Sequence, residues 1–327
     1  MAAQIHVAVL PPPPPQPPCL LLPVVAADTK KCPRGGLPET TKASINKFSL
    51  ESVGRRAYRY AADLILNPMS QYECLSFYRP VKPILQTGPQ CGFVAMAMMG
   101  SLLKKGPTID QVLSWSRDRR FTKQGELFSA KCMEQIVKEM YACETHMIDV
   151  NTEAGRRDFF QHLLEGHMFL VPYDSDKNFA PVLKRGHKAH WALVTGYFLA
   201  YSKGFVKDLQ QKSNFHVDNE ISDLYHSDNP VCVATNINDL QDMSALIIVY
   251  GHQGKSQMTG IWTLTDLLES CCNLLEVDPE RTAKGEGYYV IPAGGIENEL
   301  CGKVVAVHLE GHQMNSCNFS SSACTST

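Results

Sequence analysis

The sequence lacks an excess of either charge: 31 Lys+Arg stand against 33 Asp+Glu over 327 residues, a formal net charge of -2. With no global field to draw it onto polyanions, dedicated nucleic-acid or anionic-lipid binding is excluded as a function class. It also lacks any run approaching the roughly 18–20 apolar residues of a membrane helix, which predicts a soluble protein. The apolar start MAAQIHVAVLPPPPPQPPCLLLPVVAA has no basic region before it, and prolines break it into short pieces, so it does not read as a secretory signal. No C-x2-C pair occurs among the 12 cysteines. Scattered over a long chain without a secretion signal, they read as cytosolic free thiols, and the expected location is cytoplasmic. Cys271 and Cys272 read as small buried hydrophobes. No fixed-period repeat is present, which excludes a solenoid or propeller.

What the sequence does have is ordinary globular composition, 44% hydrophobic and 20% charged, enough for one large domain or two small ones. Proline is concentrated at the start, so residues 1–45 are expected to be disordered. Within them PPPPPQPP at 11–18 favours polyproline II, a pre-extended ligand for aromatic grooves or a plain spacer. The Ser/Thr-rich end at 315–327 is expected to be disordered as well, leaving 46–314 as the folded unit. Periodicity predicts helices at 55–66, 91–105, 108–118, 128–141 and 154–165. Strands are expected at 167–173, 190–200, 244–251, 259–264, 288–292 and 303–309. Between the second and third of these strands, the polar stretch 202–242 reads as an insertion loop.

The sharpest local signal is LQTGPQCGFVAMAMMGSLLKK. A Gly-Pro turn followed by an apolar helical run puts Cys91 at a helix start, where unsatisfied N–H groups and the helix dipole favour a thiolate. The same N–H groups can form one side of an oxyanion hole, with the Gln86 amide as a candidate for the other. A hundred residues on, PVLKRGHKAH runs into WALVTGYF, so His190 sits at a strand start beside Trp191. A strand start is a rigid, partly shielded place for a general base. A helix-start Cys and a strand-start His are the layout of a papain-like thiol hydrolase, whose partners meet only in the fold.

With QTGPQCGFVAMAMMGSLL, HWALVTGY and the downstream HQGKS and IWTL, the chain resembles the actin maturation protease family, whose catalytic domain is peptidase C39-like. The resemblance spans about residues 70–310 and includes a proline-rich N-terminus. It implies an α+β, papain-like cysteine peptidase with a helical N-terminal part packed on an antiparallel sheet. It implies further that the enzyme removes the acetylated first residue, acetyl-Met or acetyl-Cys, of immature actin. Cys91 would then be the nucleophile, His190 the base and Gln86 the oxyanion-hole donor. In C39 peptidases the corresponding Gln usually lies one residue further upstream. The group that orients His190 is left open among His252, Gln253 and Asp266. No metal or organic cofactor is needed for such chemistry.

Lys184, Arg185, His187 and Lys188 form a basic loop before His190, suited to an acidic substrate and to holding a thiolate. Because profilin carries actin and reads polyproline, the 11–18 tract is a candidate tether to profilin-bound actin. GHQGKS lacks the glycine spacing of a phosphate loop, and His308 with His312 reads as a strand end rather than a zinc motif. A zinc site from Cys91, His187 and His190 is less economical than acyl transfer. The alternatives are a thiol hydrolase acting on another acyl or isopeptide bond, and a non-catalytic adaptor linked to actin or profilin.

Overall fold

The computed structural model describes residues 53–203, 215–230, 244–285 and 287–309. The expected disordered segments 1–45 and 315–327, with the 11–18 tract, lie outside the described residues. Among those described, no helix is long and apolar enough to cross a membrane.

The helices follow their caps and apolar faces. Helix α1 (53–64) buries Val53, Ala57 and Ala61 at four-residue spacing against the sheet. Helix α2 (Cys91–Gly100) is buried nearly all round, as CGFVAMAMMG requires of a helix with no polar face. Sequence periodicity would carry α2 on to 105, but it stops at Gly100. There the Tyr141 ring lies where a Cβ would sit, and the next turns tighten through Leu102 N–H to Met99 O and Leu103 N–H to Gly100 O. Helices α3 (Ile109–Asp118), α4 (Ala130–Tyr141) and α5 (Glu153–Leu164) start at Thr108, Ser129 and Thr152, each accepting a backbone N–H. Helix α6 (Leu264–Cys272), absent from the sequence reading, is capped by Thr263, and the short α7 (Pro279–Thr282) by Asp278.

The strands are β1 (Tyr72–Tyr78), β2 (Glu144–Asp149), β3 (Met168–Asp174), β4 (Ala189–Ser202), β5 (Phe215–Val217), β6 (Leu224–Ser227), β7 (Ser244–Gln253), β8 (Gly260–Thr263) and β9 (Lys303–His308). They form one sheet, antiparallel except for β1 with β6. The architecture is therefore α+β. Its axis is β4, whose 14 residues are buried except Ser202. Along one edge β4 pairs first with β3 (Ala189–Val194) and then with β1 (Gly196–Ser202), while β7 runs along the other. The handover falls at Gly196, where a Cβ would lie 2.2 Å from the Phe77 carbonyl oxygen. A side chain there would push β1 off.

Two expectations are corrected. Residues 288–292, rich in aromatic and β-branched types, form no strand; the Val290 N–H is taken by the Glu126 carboxylate (2.7 Å) instead of a ladder. The 202–242 stretch is not simply a loop: its described part carries the β5–β6 hairpin, which joins the sheet through β1. Residues 204–214 and 231–243 lie outside the described set.

Candidate active site

Cys91 is the first residue of α2, after a Gly88 with φ 65° that only a glycine adopts freely. His190 is the second residue of β4, opposite Tyr173 of β3. Three devices bring these two elements together. The Trp191 indole N–H donates to the Leu127 carbonyl (2.8 Å). Gly92 lets that indole approach: its Cβ would sit 3.2 Å from Trp191 Cδ1. The loop leading into β4 is tied down by the buried Asp174 carboxylate, which accepts the N–H groups of Lys184 (3.0 Å), Gly186 (2.7 Å) and Lys188 (2.8 Å).

The result is a cleft of about 170 Å³ onto which Cys91, His190, Gln86, Phe128, Lys255 and Arg281 all open. A larger cavity of about 510 Å³ lies beyond Gln253, lined by Arg56, Phe179, Trp262 and Asp266, and neither Cys91 nor His190 opens onto it.

Electrostatics differ from the sequence expectation of a ready thiolate. Burial pushes the Cys91 thiol up, and this outweighs the opposing N–H of Trp191, the charge of Arg281, the N–H of Gly92 and the charge of Lys255. Burial, then the charges of Lys255 and Arg281, pulls His190 down to about 3. At neutral pH the pair is therefore a neutral thiol and a neutral imidazole, and His190 Nδ1 is buried with no hydrogen-bond partner among the described residues. A neutral imidazole has the free lone pair a base requires.

The remaining candidates fare differently. Gln86 lines the cleft, anchored by its N–H to the Gly254 carbonyl (2.7 Å), and one of the two N–H groups of its side-chain amide is held by the Gly88 carbonyl (2.7 Å). Turning the amide over would set two acceptors face to face at Gly88, so Nε2 stays on that side and keeps its second N–H for a further acceptor. His252 points to the other face of the sheet, where it stacks on Tyr78 and bonds its hydroxyl (3.2 Å). Asp266 accepts from the Thr263 hydroxyl (2.6 Å) in the α6 cap. Gln253, paired with Ala192, is on the His190 face; its Oε1 accepts the Lys255 N–H (2.7 Å) and its buried Nε2 has no partner among the described residues.

The 184–188 loop does not supply the cleft's charge. Arg185 and His187 pair with Glu276 at 2.9 and 3.0 Å, and Lys188 lies 3.7 Å from Asp278. The cations that face Cys91 are Lys255 and Arg281, which have no ion pair among the described residues. Lys255 sits inside the HQGKS motif, whereas Arg281, in a four-residue helix far along the chain, carries no local signal.

A neutral thiol at a helix start, a neutral imidazole and two unpaired cations can perform nucleophilic acyl transfer, with positive charge available to a developing oxyanion. Comparison with known proteins agrees in kind. The family model "Actin maturation protease-like, C-terminal domain" matches residues 81–198. The actin maturation protease of Danio rerio is 31% identical over 268 residues, 80% of this chain and 80% of the relative. Those of Mus musculus and Homo sapiens are 31% identical over 243 and 240 residues, 72% and 70% of this chain but 64% of each relative. No solved structure matches.

Proposed function

The chain belongs to the actin maturation protease family, and from that premise we propose that it is a papain-like, C39-type thiol peptidase that trims the acetylated first residue of immature actin. The observation that carries this reading is the cleft shared by Cys91 and His190. In the reaction, Cys91 Sγ attacks the carbonyl carbon of the acetylated residue as its proton passes to His190. His190 then delivers that proton to the departing amine of the second residue, leaving a thioester on Cys91. Water, activated by His190, hydrolyses the thioester and frees the acetyl-amino acid.

Size and charge support the substrate. A cleft of about 170 Å³ is well under the about 300–1,000 Å³ of drug-sized ligand pockets, so it suits one residue rather than several. Lys255 and Arg281 supply the positive field for an acidic chain following that residue. Gln253, on the His190 face, is the orienting amide.

The test is intact-mass analysis of the actin N-terminus after incubation with wild type or Cys91→Ala, in reducing, metal-free buffer. Loss of the acetylated first residue with wild type alone is the expected result. An unchanged mass with both proteins folded and bound to actin would overturn the reading in favour of an adaptor.

A further inference from the structure

Remote from the cleft, the C-terminal end of α5 gathers histidines and carboxylates that the proposed chemistry does not use. His162 Nδ1 lies 3.1 Å from Glu165 Oε2, and His167 Nε2 lies 3.9 Å from the same oxygen. On the far side of His167, His308 Nδ1 from the end of β9 is 3.0 Å from His167 Nε2. We infer that His162, Glu165, His167 and His308 form a binding site for a divalent transition-metal ion of the zinc type.

The distances suit such an ion. Tetrahedral zinc with bonds near 2.0–2.1 Å sets its ligand atoms about 3.3 Å apart. The donor atoms of His162, Glu165 and His167 all fall within 4.8 Å of one another. His308 Nδ1 lies against His167 Nε2 at the edge of that group and is the fourth ligand within reach of it. The backbone is arranged for it: the His167 N–H bonds the His162 carbonyl (3.0 Å), and Gly166 takes φ 79°, so the chain folds back at the helix end.

The surroundings fit a ligand shell. His162 offers Nδ1 inward while its Nε2 faces the Asp158 carboxylate at 3.4 Å, the outer carboxylate that fixes a metal-binding tautomer. Asp158 is itself held by His146 Nε2 at 2.8 Å. Three imidazole nitrogens and one carboxylate favour zinc over calcium or magnesium. The ion would staple α5, β3 and β9 without touching Cys91.

The test is titration of metal-free Cys91→Ala full-length protein with Co²⁺, followed in the visible, then displacement by Zn²⁺. The Cys91→Ala background removes the cleft thiol as a competing donor. One equivalent with tetrahedral-type absorption is expected, with affinity lowered at least about 10-fold in Glu165→Gln and His308→Gln and about 10-fold in Asp158→Asn. Glu165 is 42% exposed, so its replacement leaves folding intact. Zinc should raise the melting temperature of the parent and not of Glu165→Gln. Equal affinity in parent and variants, or no saturable uptake below about 100 µM, would overturn the inference.

Discussion

Cys91 and His190 are held in the uncharged state by the same burial, with consequences for how the thiol reacts. Its alkylation by iodoacetamide should climb with pH beyond the ordinary thiol range of about 8.5, with no plateau near neutrality. A plateau already reached at pH 6 would show a preformed ion pair. Lys255→Met and Arg281→Met each remove a charge that lowers the thiol pKa, so each should slow alkylation at pH 8. His190→Ala should lower kcat by about 10²–10⁴. Gln253→Ala should lower kcat about 10-fold with KM nearly unchanged, because an orienting amide acts through the imidazole. Asp266→Ala should leave kcat alone and cost about 1 kcal/mol of stability, the worth of a helix cap. That Cys91, His190 and Gln86 open onto one cleft agrees with the local signals that singled them out, turn chemistry and a strand start. Arg281 and the pairing of the 184–188 loop with Glu276 and Asp278 were not legible in sequence, since both depend on contacts between distant segments.

At the scale of elements, legibility followed the strength of local signals. Helices α3, α4 and α5 carry a Thr or Ser cap and an apolar stripe, and their ends fall within about two residues of expectation. Strand β1 was missed because Glu73 and Ser76, both 2% exposed, interrupt its apolar run while lying in the core. Strand β2 was missed because it is largely polar at the sheet margin, and α6 because its cap follows β8 without a break. The false strand at 288–292 has suitable residue types but lies between Gly287, with φ 82°, and Pro292. The clearest test of an element concerns Asp174, which gathers three N–H groups of the loop before β4. Asp174→Ala leaves those donors unpaired, at about 1–3 kcal/mol for each that stays buried. Both the urea midpoint and kcat should drop, since His190 follows directly; an unchanged kcat in the folded variant would separate the loop from the site.

Over the whole molecule, buried neutral histidines make stability depend on acid. His190 is held down to about 3, and His252 and His167 to about 4. In the unfolded chain they protonate near 6.5, so below that pH the unfolded state binds more protons and stability falls as pH drops. The window runs from about 6.5 to about 3, and at its lower end it meets the range in which Asp218, held to about 2 chiefly by Arg55, begins to add to the loss. Urea midpoints should fall across this window, and His252→Gln should shallow the slope; a flat profile would show the rings are charged in the fold. The shared edge of β4 also orders events in time. Its partners β1 and β7 come from earlier and later in the chain, and such long-range pairings form late in folding. During synthesis Cys91 and His190 leave the ribosome well before Lys255 and Arg281, so a nascent chain holds the thiol and the imidazole before it can hold the two cations that face them. A cleft lined by segments so far apart in the chain is complete only once all of them have emerged and docked.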